Sequence, residues 1–228
     1  MSVSTLILAL LAGLVPSLVW LWFWVREDVH PEPKSMLAAA FFGGILAVIA
    51  AVFAEKYIAS IVGDASLRYA LWAAIEEIFK FVAVAVIALS SGYNDEPIDA
   101  MVYCIVAALG FAALENTLFL LGPLSGGEFA KSIATGNMRF IGATLVHIVS
   151  SATVGFALGL AFYRGYIVKA IAVILGLLAA ITFHAAFNIS IVNGEGSDTL
   201  KAFSWVWGAV ILLIILFEEI KVVKAKTA

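Results

Sequence analysis

Of the 228 residues, 64% are hydrophobic and only 13% are charged, and the mean hydropathy is +1.09, a composition that excludes a soluble globular domain. The net charge of −3 comes without any basic patch interleaved with aromatics, so no nucleic acid is expected as a partner. A single cysteine, Cys104, excludes a disulfide framework and a cysteine-built zinc site; inside an apolar run it reads as core packing.

Apolar runs of the roughly 17–25 residues that cross a bilayer fall near 4–25, 35–54, 68–90, 97–122, 138–163, 167–191 and 201–217. The sequence therefore predicts an all-α polytopic transmembrane bundle of about seven spans, forming one integral membrane domain over 1–228. The first run lacks a charged n-region and a small-residue cleavage site and reads as a retained span. Its WLWFW stretch, followed by Arg26, is an interfacial anchor. Connections near 55–67, 123–137 and 192–200 are rich in Gly, Ser and Asp and read as turns, which leaves any chemistry to the bundle. The tail lysines Lys221, Lys224 and Lys226 meet lipid headgroups.

Ionisable residues are sorted along the chain. Of the 13 Lys and Arg, all but Lys80 fall in loops or at span ends. Of the 16 acids only Glu76, Glu77 and Glu115 lie well inside spans, joined there by two of the three histidines, His147 and His184, while His30 is a loop residue. A charged group in mid-bilayer costs at least ~2.5–3.5 kcal/mol, so such residues need partners or a polar cavity. Successive spans alternate in direction, so depth is counted from one face: Arg68 to Glu76 is 8 positions, Glu115 to Pro123 is 8, Arg139 to His147 is 8 and His184 to Asn193 is 9. At 1.5 Å per residue, each lies about 12–14 Å below that face. One such histidine alone is most simply a satisfied core residue. Four groups at one depth on four helices predict a shared site, with the amides of Asn116 and Asn188 beside it and water reaching it from the nearer face.

Within EEIFK, Lys80 is i+4 from Glu76 and i+3 from Glu77 and can neutralise either, leaving the other as a base or a ligand. The bland alternative is an ion-pair cluster that only locks helices together. HAAFN puts His184 and Asn188 on one helix face, where Asn188 either stabilises an oxyanion or orients His184. Glu115 and Asn116 point about 100° apart, so Glu115 faces the site and Asn116 a neighbouring helix. Ser150, Ser151, Gly110, Gly155, Gly159 and Gly176 read as close-packing points between helices, and no serine nucleophile fits as well as the Glu and His set.

EEIFK at 76–80, GFAALEN at 110–116, His147 in RFIGATLVHIVSSATVG and HAAFN at 184–188 resemble the PrsW family of intramembrane proteases. That family sits within the superfamily that includes the CAAX prenyl endopeptidases and the Aph subunit of γ-secretase. REDVHPEPKSMLAAAFFGG, with Asp28, Glu32 and Pro33, looks like the family's first loop. The resemblance runs from about residue 16 to 191, with the core motifs in 68–191. Glu115 stands where the CAAX peptidases have a histidine, so their mechanism does not transfer unmodified.

The resemblance implies an endopeptidase acting on a membrane-anchored protein near the membrane face, as in site-1 cleavage of an anti-sigma factor. Two versions stay open. In one, a glutamate, preferentially Glu76, is the general base on a water, with His147, His184 and Asn188 orienting substrate and stabilising the oxyanion. In the other, which is preferred, His147 and His184 with one or two of Glu76, Glu77 and Glu115 hold Zn2+ while a remaining glutamate takes the proton. With Glu76 kept as the base, the ligand set is His147, His184, Glu77 and Glu115, and Lys80 and Asn116 are supporting residues.

Two rival classes are a non-catalytic scaffold subunit, as in the Aph branch, and a proton-coupled transporter. A polar set confined to one layer, without an inverted repeat, argues against transport. The face shared by the N-terminus carries Lys56, Arg68, Lys131, Arg139 and Lys201, against Arg26, Lys34, Arg164, Lys169, Lys221, Lys224 and Lys226 opposite. The more basic face is the cytoplasmic one, so the N-terminus is expected outside and the site is expected to open extracytoplasmically. Neither the substrate nor the oligomeric state is readable from the sequence.

Overall fold

The computed structural model of the chain describes residues 2–28, 30–193 and 197–224. Its helices are α1 (Val3–Arg26), α2 (Lys34–Ile61), α3 (Ala65–Val84), α4 (Asp99–Ser125), α5 (Phe129–Met138), α6 (Thr144–Leu160), α7 (Tyr166–Asn193) and α8 (Ser197–Ile220). Wider π-helical turns extend α3 over Ala85–Leu89 and join α5 to α6 over Arg139–Ala143. Caps mark two of the starts: Ser2 Oγ accepts from the Thr5 amide at 3.1 Å, and Asp64 Oδ1 from the Leu67 amide at 2.7 Å.

Six helices among the described residues are long and apolar enough to cross a membrane: Val3–Arg26, Lys34–Ile61, Asp99–Ser125, Phe129–Leu160, Tyr166–Val192 and Thr199–Ile220. The span expected near 68–90 is α3, whose Glu76, Glu77 and Lys80 are all buried. Together with Arg68 they make α3 less apolar than the other six. The buried three are tolerable in a bilayer because the bundle, and not lipid, surrounds them.

Helix α4 lies at the centre, with every residue from Asp99 to Ala113 buried. Contacts run from α2 to α4, α4 to α6, α6 to α7, α7 to α3 and α3 back to α2, closing a ring of five helices. Outside that ring, α1 packs on α4, and α8 packs on α6 and α7. The tightest seam is α2 on α4, where a methyl group added to Gly44 would overlap the Ala107 carbonyl and one added to Gly110 would overlap the Phe41 carbonyl. Bare backbone on both sides lets the two helices touch, the usual use of small residues in membrane bundles.

Two of the expected connections are mostly helical. Helix α2 runs on to Ile61, so that only residues 62–64 join it to α3, because nothing before Gly63 breaks a helix. Helix α4 continues through Pro123 to Ser125, and Gly127, at φ 73°, turns the chain into α5. The fifth span therefore starts well before residue 138. The connection expected at 192–200 falls partly on residues 194–196, outside the described residues.

At the face away from the site, the loop after α1 is tied to α4 through buried acids. Tyr103 donates to Glu32 Oε2, the His30 amide donates to Asp28 Oδ1 at 3.1 Å, and His30 Nδ1 lies 2.9 Å from Glu96. Burial pushes the carboxyls of Asp28 and Glu32 above their ordinary values. The folded state then holds these protons more tightly than the unfolded one, so stability is fullest below the ordinary value of 4.5 for Glu32 and declines as pH rises through the raised one. Glu32→Gln, which mimics the protonated acid, is expected to melt higher than wild type near neutral pH, with the gap closing on acidification. A gap of constant size across a pH series of melting curves would remove Glu32 as its source.

Candidate active site

Each helix of the ring contributes at least one polar side chain to the site, among them Glu55 from α2, Glu76 from α3, Glu115 from α4, His147 from α6 and His184 from α7. Glu77 is fully engaged. Its Oε1 accepts from Lys80 Nζ at 2.5 Å and His184 Nδ1 at 2.7 Å, and its Oε2 from Ser151 Oγ at 3.0 Å. Glu115 Oε2 accepts from His147 Nε2 at 2.8 Å and from Arg139 Nη2. Arg139 Nε also donates to Asn116 Oδ1, and the Asn116 amide donates to Thr144 Oγ1 at 3.0 Å. Asn116 thus ties α4 to the start of α6, and His184 is held by Glu77, not by Asn188.

A carboxylate in an ion pair only accepts hydrogen bonds, so these contacts fix both imidazole tautomers. His184 carries its proton on Nδ1 and presents the Nε2 lone pair; His147 carries its proton on Nε2 and presents Nδ1. Both nitrogens lie near one oxygen: Glu76 Oε2 is 3.8 Å from His147 Nδ1, which also accepts from Lys80 Nζ at 3.0 Å, and 3.7 Å from His184 Nε2. Among the described residues that buried oxygen has no hydrogen-bond partner. The two rings stand edge to face, with centroids 4.9 Å apart.

Glu76, His147 and His184 can hold a metal ion, since one ligand atom from each lies within 4.8 Å of the others. Two N or O ligands of tetrahedral zinc stand about 3.3–3.4 Å apart, given bonds of roughly 2.0–2.1 Å. The observed 3.7 and 3.8 Å therefore need a contraction of less than about half an ångström. The donor set, two imidazoles and a carboxylate, is one that catalytic zinc takes. Of the ligands expected from the sequence, the two histidines stand in this group, while Glu77 and Glu115 bind the histidines' other ring nitrogens.

A cavity of about 630 Å3 opens above Glu76. Its walls are mostly apolar, including Tyr69, Trp72, Phe111 and Phe119, and its polar groups are Glu55, Glu76, Glu115, Arg139, His147, Asn188 and Thr199. Sequence reasoning missed Glu55 as a site residue, because the second span seemed to stop at 54. Val48, Val52 and Glu55, at i, i+4 and i+7, all line the cavity and so share one face of α2. That periodicity was the available signal. Arg139 entered the sequence reading as a depth marker and a charge on one membrane face, yet it sits in the π-helical turn, 4.0 Å over the Phe119 ring and bound to Glu115. Such turns occur frequently at functional sites.

Ring, buried carboxylate–histidine group and adjoining cavity together define a polytopic membrane protein with the makings of a hydrolase centre inside the bundle. Residues 32–217 match the family model of the PrsW family intramembrane metalloproteases. A protein named Protease PrsW from Geobacillus kaustophilus is 32% identical over 155 residues, covering 65% of this chain and 64% of that relative. Relatives of the same name from Bacillus subtilis and Oceanobacillus iheyensis are 27% and 28% identical, covering 78% and 83% of this chain and 79% and 85% of their own. No solved structure matches the chain. The chain belongs to the PrsW family of intramembrane proteases.

Proposed function

We propose that this protein is an intramembrane endopeptidase that hydrolyses a peptide bond of a membrane-anchored protein near the membrane face, as in site-1 cleavage of an anti-sigma factor, with Zn2+ held by Glu76, His147 and His184. The observation that carries this is the convergence of His147 Nδ1 and His184 Nε2 on the unpartnered Glu76 Oε2. Zinc bound there supplies the Lewis acidity that makes water a usable nucleophile at neutral pH.

The remaining residues have separate tasks. Glu115 and Glu77 accept the outer N–H of His147 and His184, which fixes the tautomers and raises ligand basicity. Arg139 in turn holds Glu115. Glu55 lines the same cavity as Glu76 and takes the proton of the attacking water. Asn188, on the cavity wall, directs its amide at the oxyanion of the tetrahedral intermediate. Apolar walls receive substrate side chains next to the scissile bond.

The cavity lies toward the face that carries Arg68, Lys131 and Lys201, and the smaller basic charge of that face supports an opening outside a bacterial cell membrane. Cleavage of a tagged, membrane-anchored anti-sigma factor by the protein in intact spheroplasts tests the whole reading. An impermeant chelator added outside is expected to stop cleavage, and zinc to restore it. Cleavage indifferent to deep chelation would transfer the work to Glu76 as a metal-free base; loss only when the chelator is inside would reverse the orientation. No cleavage under any condition would leave a scaffold.

A further inference from the structure

Lys80 occupies an unusual place. Its side chain is 1% exposed, and Nζ lies 2.5 Å from Glu77 Oε1, 3.0 Å from His147 Nδ1 and 4.9 Å from the centroid of the Phe111 ring. An ammonium group only donates, so its bond to Nδ1 consumes the imidazole's single in-plane lone pair. The same Nδ1 is the His147 atom that lies 3.8 Å from Glu76 Oε2. A metal ion and Lys80 therefore compete for one atom, and their like charges cannot share it.

We infer that Lys80 is an internal cation that holds the metal-binding nitrogen of His147 while the centre is empty and must release it for a metal to enter, so that this side chain sets how tightly the centre binds zinc. The inference rests on Glu76, His147 and His184 being the ligand set. The move required of Lys80 is short. Its Nζ is already 2.5 Å from Glu77 Oε1, and the flexible four-carbon stem can turn the ammonium off Nδ1 while keeping that bond. In the metal-free protein the ammonium neutralises the cluster and keeps His147 on its Glu115 hydrogen bond, so the site stays assembled. The cost of that arrangement is weaker metal binding, because each zinc that enters displaces a charge-assisted hydrogen bond.

The test is zinc affinity, measured by competition with a chromophoric chelator on the purified full-length protein in detergent, for wild type, Lys80→Met and Lys80→Arg. Losing the competing bond is expected to tighten zinc by about 10- to 100-fold in Lys80→Met, whereas Lys80→Arg, which keeps a cation and donors, stays at or below wild type. Metal-free Lys80→Met is also expected to melt lower than wild type, with a larger rise on zinc addition. A purely structural lysine would lower both forms alike and leave affinity unchanged or weaker, which would overturn the inference. Should Lys80→Met not fold, a structure of the zinc-loaded wild type decides: Nζ still bonded to Nδ1 overturns the inference, and Nζ withdrawn onto Glu77 supports it. Absence of zinc binding in the folded wild type and variants alike would overturn the ligand set itself, a failure distinguishable from equal, measurable affinities.

Discussion

Glu76→Gln is expected to lower proteolysis by about 10^3-fold, in the range seen for loss of one essential proton-transfer or metal-holding group, while leaving the protein at least as stable as wild type. Glutamine keeps the volume of the side chain. Its amide can donate to His184 Nε2, which lies 3.7 Å from the carboxylate oxygen now without a partner. A buried oxygen without a hydrogen-bond partner is replaced by a donor that has one, which favours folding. Activity and melting temperature should therefore move in opposite directions, a pattern expected where a site stores an unfavourable arrangement for function. Retention of more than about a tenth of wild-type cleavage would take Glu76 out of the reaction under either the zinc or the metal-free version.

Gly110→Ala is expected to cost stability despite replacing a helical glycine. Propensity alone would favour alanine by up to ~1 kcal/mol. Against that, the new methyl would overlap the Phe41 carbonyl, and overpacking costs roughly 1–3 kcal/mol even where side chains can rearrange. Here the obstacle is backbone, which has no rotamer to escape into, so α2 and α4 must separate. Gly44→Ala meets the Ala107 carbonyl in the same way and should behave alike. Gly208→Ala on α8, with nothing within 4 Å of its added methyl, provides the control and should be neutral or stabilising. Because the same seam sets Glu55 of α2 against Glu115 of α4 in the cavity, the first two variants should also lose activity. Melting curves that rank Gly110→Ala equal to Gly208→Ala would contradict the close crossing.

The span pattern was legible because bilayer thickness imposes one length on every crossing helix, and the layer shared by Glu76, Glu115, His147 and His184 followed from counting residues along straight helices. Pairing inside that layer was not legible. Lys80 is i+3 from one glutamate and i+4 from its neighbour, and the helix alone permits either pair. Residues from two other helices decide it, since His184 Nδ1 and Ser151 Oγ both donate to Glu77 and complete a cage that includes Lys80. Glu76 is left facing the histidines by default. Glu55 was hidden by a different cause: it sits where an apolar run ends but the helix does not, so a hydropathy boundary concealed a residue that the helical period of α2 carries into the cavity.

The measurement that bears most directly on the central claim is the metal content of the purified protein, by mass spectrometry, for wild type, His184→Ala and Glu76→Gln, each shown to be folded. One zinc per wild-type chain, lost or sharply reduced in both variants, is the predicted result. A wild-type protein that cleaves its substrate while holding no metal would contradict the zinc centre and leave Glu76 as the base of a metal-free reaction.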